Sequence, residues 1–92
     1  MSLFFEWDAA KATSNRRKHG VSFEEACSVF ADPLSSTIHD LKHSDDEDRF
    51  LILGESEKDR LLVVAFTDRD RIRIISARVA SRRERKQYEE KR

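Results

Sequence analysis

With 92 residues, 38% of them apolar and 39% charged, the chain can build one small hydrophobic core but not two. Its apolar residues are gathered in short periodic runs, unlike those of disordered chains, and no run approaches the roughly 20 residues that span a bilayer. The formal net charge is zero, a sum that excludes no partner because the charges are unevenly placed along the chain.

The first element is FFEWD, residues 4–8, an aromatic-rich strand signal. Asp8 stands where an N-cap is expected for a helix over 9–19, and Gly20 where a left-handed residue would end it. VSFEEACSVF carries a start signal of its own. Ser22 and Glu25 have the spacing of a capping box, Val21 can staple against Ala26, and Phe23, Ala26, Cys27 and Phe30 fall at i, i+3, i+4 and i+7. That face is predicted as core, with the single Cys27 a small packed side chain and not a reactive thiol. Asp32-Pro33 ends the helix, since proline lacks a donor and disfavours helical geometry in its predecessor.

Beyond Pro33 the period changes from 3.6 to 2. STIHD, RFLILGES, RLLVVAFTD and RIRIISAR read as four strands, separated by an acidic loop over 41–48 and turns at 57–59 and 68–70. Links this short imply antiparallel neighbours. LLVVAF is apolar at successive positions, which places its strand centrally with both faces covered. Alternation sends Ile72, Ile74, Ser76 and Arg78 to one face and Arg71, Arg73, Ile75 and Ala77 to the other. Arg73 and Arg78 can therefore share a face only if a bulge or strong twist intervenes. A last helix starts near Ser81, with Glu84 completing a second capping box.

The predicted architecture is α+β in the order βααββββα, a single domain over 1–92. One curved antiparallel sheet carries the first two helices on one face, leaves the other open to a ligand, and has the terminal helix near an edge or free to swing. Residues 32–59 hold three basic and nine acidic groups, and residues 71–92 nine basic and three acidic, so the molecule is expected to be a dipole. Either the two segments pair within the chain, or the basic one presents a local face to a polyanion. No basic-then-apolar leader precedes the first strand, which with the lack of a membrane span makes the cytoplasm the expected compartment.

The segments FEWDAAKATSNRRKHGVSFEEACSVFADP, HSDDEDRFLILGES and RIRIISARVASRRERKQYEE, in that order and spacing, resemble the BrnT family of bacterial type II toxins over nearly the whole chain. The resemblance implies a RelE-like fold and a ribosome-inhibiting or messenger-cleaving RNase. It also implies a cognate antitoxin, BrnA, a ribbon-helix-helix protein whose dimer centres the assembly and through which operator DNA is bound. In a RelE-like RNase the ribose 2′-hydroxyl attacks the adjacent phosphorus. The site then needs a base, an acid for the leaving 5′-oxygen and cations for the phosphorane, with no metal or other cofactor.

Arg78 is the first choice for transition-state stabilisation, set against a structural ion pair with an acidic loop. Arg73 suits RNA or antitoxin contact, and Arg82 and Arg83 extend the basic surface for RNA. The resemblance marks Lys18 and His19 as functional, although a helix C-terminus favours cations for its own reasons. Glu47 and Arg49 flank the start of the RFLIL strand; Glu47 is a candidate base or an orienting carboxylate, with a solvated strand edge as the alternative. Trp7 can stack on a base or pack in the core, and Tyr88 is similarly open. The capping box already explains Glu84, which is left off the catalytic set. His39 and His43 straddle a strand end and a loop with no cysteine nearby, so no metal site is expected. The alternative function is an RNA- or partner-binding module, or an operon co-repressor, that keeps the arginines without cleavage.

Overall fold

The computed structural model describes residues 3–43 and 48–90. Strand β1 (Phe5–Glu6) leads into helix α1 (Ala9–His19) through Asp8, whose carboxylate accepts the N–H groups of Ala10 (2.8 Å) and Lys11 (3.1 Å). Those backbone donors hold the Asp8 carboxyl below its ordinary range. Gly20 ends the helix at φ 68° and gives its N–H to Arg16 O, the left-handed closure that glycine adopts without strain.

Helix α2 (Phe23–Ser28) starts at Ser22, whose Oγ accepts the Glu25 N–H at 3.1 Å, and tightens into a 3-10 turn over Val29–Ala31. Only half of the expected capping box forms. The Glu25 carboxylate is turned inward, 1% exposed, where it accepts Ser56 Oγ (2.7 Å) and Arg60 Nε (2.9 Å) and is also bonded by Arg60 Nη2. A buried charge must be paired, and the local box cannot compete with a guanidinium. Arg60 also donates to Gly20 O at 3.1 Å, so one ion pair ties α2 to the end of α1 and the entry of a strand.

The remaining strands are β2 (Ser36–His39), β3 (Phe50–Glu55), β4 (Leu61–Asp68) and β5 (Ile72–Val79). Together the five form one sheet in the order β1-β5-β4-β3-β2. As the run LLVVAF predicts, β4 is central, and Leu61 through Thr67 are all buried. The sheet is antiparallel except at β1, which runs parallel to β5 with Phe5 opposite Ile72 and Glu6 opposite Arg73. No hairpin joins β1 to its neighbour, so its direction is set by what its side chains pack against. The Phe5 ring meets Phe30 edge-on at 5.2 Å.

Helices α1 and α2 cover the face that carries Ile52, Leu62, Val64, Phe66, Ile74 and Ala77. Val21, Phe23, Ala26 and Val29 are wholly enclosed there. Each of the larger side chains contributes roughly 1.5–3 kcal/mol by leaving water. A Cβ on Gly54 would stand 3.0 Å from Val29 Cγ1 and Ser35 Cβ; the glycine lets the 3-10 turn close onto β3.

Helix α3 (Arg82–Glu89) has the complete capping box the sequence predicts: Ser81 Oγ accepts the Glu84 N–H and Glu84 Oε1 accepts the Ser81 N–H. It is fastened at both ends, not free to swing. Glu84 pairs with Arg78, and the buried Tyr88 hydroxyl donates to Asp32 Oδ2 at 2.5 Å, on a carboxylate that also takes the Glu55 and Leu34 N–H groups. No helix among the described residues is long and apolar enough to cross a membrane.

Candidate functional site

Strand β5 does not alternate regularly. Thr67 faces Arg73 and Phe66 faces Ile74, but Ala65 faces Ser76, so Ile75 is an extra residue, a β-bulge. Beyond it Ala77 faces Val64 and Arg78 faces Val63. Cross-strand partners share a face, and Val63, Ala65 and Thr67 alternate on one side of β4. Arg73 and Arg78 therefore both stand on the sheet face away from α1 and α2. Burial explains the skipped residue: Ile72 and Ile74 before it, and Ala77 after it, all enter the same core. A strict two-residue repeat would expel one of these sets.

Arg78 is held by Glu84 in a two-point fork, Nη1 to Oε1 at 2.7 Å and Nη2 to Oε2 at 2.9 Å. The structural alternative for Arg78 thus has its partner on α3, not in an acidic loop. The pair raises the Arg78 pKa and, with the Ser81 contacts adding to it, holds the Glu84 carboxyl down to about 2. Glu84 is therefore ionised at neutral pH and has no proton to give a leaving group. The Arg78 side chain keeps 43% of its surface exposed.

Next to Arg78 lies a residue that sequence reasoning missed. Asn15, buried on α1, gives its amide hydrogens to Val21 O (3.0 Å) and Ala77 O (2.9 Å) and accepts the Ala77 N–H (3.0 Å). The amide acts as a substitute strand at β5, since the β1 ladder pairs only Ile72 and Arg73. An amide within a helix of otherwise small and basic residues was its only sequence signal. Together with the Arg60 bond to Gly20, it sets the last turn of α1, which bears Lys18 and His19, at the sheet end where β4 begins and β5 finishes. Lys18 and His19 are exposed there, as are Arg82 and Arg83 in the first turn of α3.

The other predicted residues lie elsewhere. Arg49 immediately precedes β3, whose first residue is two strands from Ile74, so Arg49 and Arg73 belong to the opposite end of the sheet. Glu47 is outside the described residues. Trp7 is half-buried on the helix side, its ring edge-on to Phe23 at 6.0 Å. His39 meets Asp48 at 3.2 Å and His43 meets Asp40 at 3.1 Å. Among the described residues no group of three or more His, Cys, Asp or Glu could hold a metal ion. Cys27 is partly buried, and desolvation pushes its thiol up to about 11.

Between the two arginine-bearing ends the face is uncharged, and its β4 side chains Val63, Ala65 and Thr67 are buried. A groove of about 540 Å³ runs between α3 and the outer strands, lined by Ile38, Leu51, Leu53, Val63 and Tyr88 with Glu84 at its rim. The charge separation of the sequence persists only in part: β5 lies next to one edge and the acidic segment spans β2 and β3 at the other, but α3, with Arg82, Arg83, Arg85 and Lys86, folds back against β3. The face can bind a polyanion at its arginine ends while keeping apolar contact between them.

The model of the family described as ribonuclease toxin, BrnT, of type II toxin-antitoxin system matches residues 7–84. Among solved structures, the 1.1 Å crystal structure of the Brucella abortus ribonuclease toxin BrnT is similar, with a TM-score of 0.63 and 24% identity. The match covers 88% of this chain and 100% of that one. At that identity the likeness is one of fold. No curated protein matches.

Proposed function

Because the chain belongs to the BrnT family of ribonuclease toxins of type II toxin-antitoxin systems, we propose that it is a metal-independent endoribonuclease, cleaving RNA and so inhibiting translation. The single observation that carries the reading is the bulge at Ile75, which sets Arg73 and Arg78 on one face outside the core. A neutral chain that places guanidiniums this way presents phosphate with planar, two-point donors.

In this reading the Glu84 carboxylate occupies the Arg78 fork as a phosphate would. An incoming scissile phosphate displaces it, and the gain is largest at the phosphorane, where the non-bridging oxygens carry most charge. Lys18 and His19 are the exposed proton carriers at the same sheet end; Glu47 is a further candidate base, and Arg49, at the opposite end of the sheet, takes part only along the bound strand. Arg73, Arg82 and Arg83 hold the strand, and Trp7, packed on Phe23 on the helix side, meets a base only where the RNA passes round the β1 edge. The neutralising partner is a BrnA-like ribbon-helix-helix dimer in the cytoplasm, covering the arginine face or immobilising α3, and operator DNA is reached through that complex.

Incubation of folded protein with RNA in excess chelator should yield fragments ending in 2′,3′-cyclic phosphate; intact RNA would refute the nuclease. Arg78→Ala should lower cleavage by about 10²-fold or more and abolish growth arrest on expression. Undiminished toxicity removes Arg78 from the site. The Glu84 clamp favours one second reading, a non-catalytic RNA- or partner-binding module or co-repressor, since a filled fork suits architecture as well as chemistry. RNA affinity that falls steeply with salt, without product, would select it.

A further inference from the structure

At the far end of β5 from Arg78, a polar hollow of about 320 Å³ is lined by Glu6, Thr67, Arg69, Asp70, Arg71 and Arg73. Arg71 and Arg73 meet the Glu6 carboxylate at 3.9 and 3.8 Å, beyond hydrogen-bond distance, with 63% and 45% of their side chains exposed. Arg78, by contrast, is clamped at 2.7 and 2.9 Å. Within the lining Arg69 and Asp70 offset each other and two guanidiniums face one carboxylate, an excess of one positive charge, with Asp8 also near enough for its carboxyl to feel Arg73.

The distance between this hollow and Arg78 follows from the register. Their β4 partners Thr67 and Val63 are four residues apart, or about 13 Å. The two ends also lean apart, Arg73 toward Glu6 on β1 and Arg78 toward Glu84 beyond the end of β5. One phosphate is not grasped by both. Two arginine-bearing points along one strand and one face, with the half-buried, uncharged Ser76 between them on β5, describe a track for one backbone. A-form duplex also holds the 2′-hydroxyl out of line with the leaving oxygen, so the matching ligand is a single strand.

We infer that the hollow at Arg71 and Arg73 is a second phosphate subsite, gripping single-stranded RNA at a phosphate distinct from the scissile one and giving the enzyme a preference for extended strands. This deepens the nuclease reading and rests on it. Glu6 acts there as a resident carboxylate that tempers the affinity.

The test compares a dinucleotide with an oligoribonucleotide extended on both sides of the same scissile step, together with salt titrations of an uncleavable 2′-deoxy version of the long strand. Wild type should favour the long substrate through KM. In R71A/R73A that preference should collapse, with KM for the long strand up by about tenfold, kcat within about twofold, and the slope of log affinity against log salt shallower by about 0.7. Glu6→Gln should move KM the other way. A preference that survives in R71A/R73A, or a loss confined to kcat, overturns the subsite and leaves the nuclease standing. If folded wild type cleaves neither substrate, the nuclease reading fails; the deoxy strand then decides the subsite, an R71A/R73A-sensitive affinity upholding it and an insensitive one ending it.

Discussion

Glu84 serves three donors with one carboxylate: both terminal nitrogens of Arg78 and the N–H of Ser81. Its pKa, held to about 2, lies below the ordinary 4.5, so its stabilisation is full above about pH 4.5 and is lost as pH falls through about 2. Allowing for the half-exposed guanidinium, Glu84→Gln should cost about 1–2 kcal/mol at pH 7, with the gap from wild type closing toward pH 2 in denaturant melts. Glu25 is the deeper charge. Glu25→Ala leaves Arg60 unpaired and should cost about 2–3 kcal/mol, less than for a fully buried pair because that guanidinium is 36% exposed, with much of it recovered when Arg60→Met is added, as a double-mutant cycle would record. Asn15→Ala opens three buried hydrogen bonds and should cost about 2–4 kcal/mol in urea unfolding. Neither role was legible in the chain. Glu25 has capping-box spacing and Asn15 sits among charges, and each is defined by partners 35 and 62 residues away.

Among the elements, the helices were the most legible, because caps act over three or four residues. Asp8, Gly20, Ser22 and Ser81 each mark a boundary that the structure keeps. Strand β5 was legible as a strand but not as a surface, since its bulge answers to the core and not to its own pattern. Helix α3 was legible as a helix but not in its mooring. Its far anchor is the bond from Tyr88 to Asp32, and Tyr88→Phe should cost about 1 kcal/mol. Faster amide hydrogen exchange confined to α3 would identify that bond as the fastening; unchanged exchange would assign it to the ring's burial instead.

For the whole molecule, the basic segment is divided between β5, with Arg73 and Arg78 on one face, and α3, which folds back against β3, so a formally neutral chain can still present a local basic strand to RNA. Affinity for RNA should therefore fall with added salt although the net charge is zero, a dependence that filter binding across a salt series would measure. The opposite, helix-covered face contributes core, including a half-buried Cys27 that should resist alkylation at neutral pH in the folded protein.

By itself the sequence determined the order of elements, the helix boundaries, the burial of β4 and the separation of charge by segment. All of these depend on spacing within a few residues or on composition. Only the tertiary structure decided that β1 runs parallel to β5, that Arg73 and Arg78 share a face, that Glu84 fills the Arg78 fork and that Glu25 turns inward to Arg60. These are settled by which apolar groups must be buried together and which charges are thereby stranded. That competition begins only when distant parts of the chain meet.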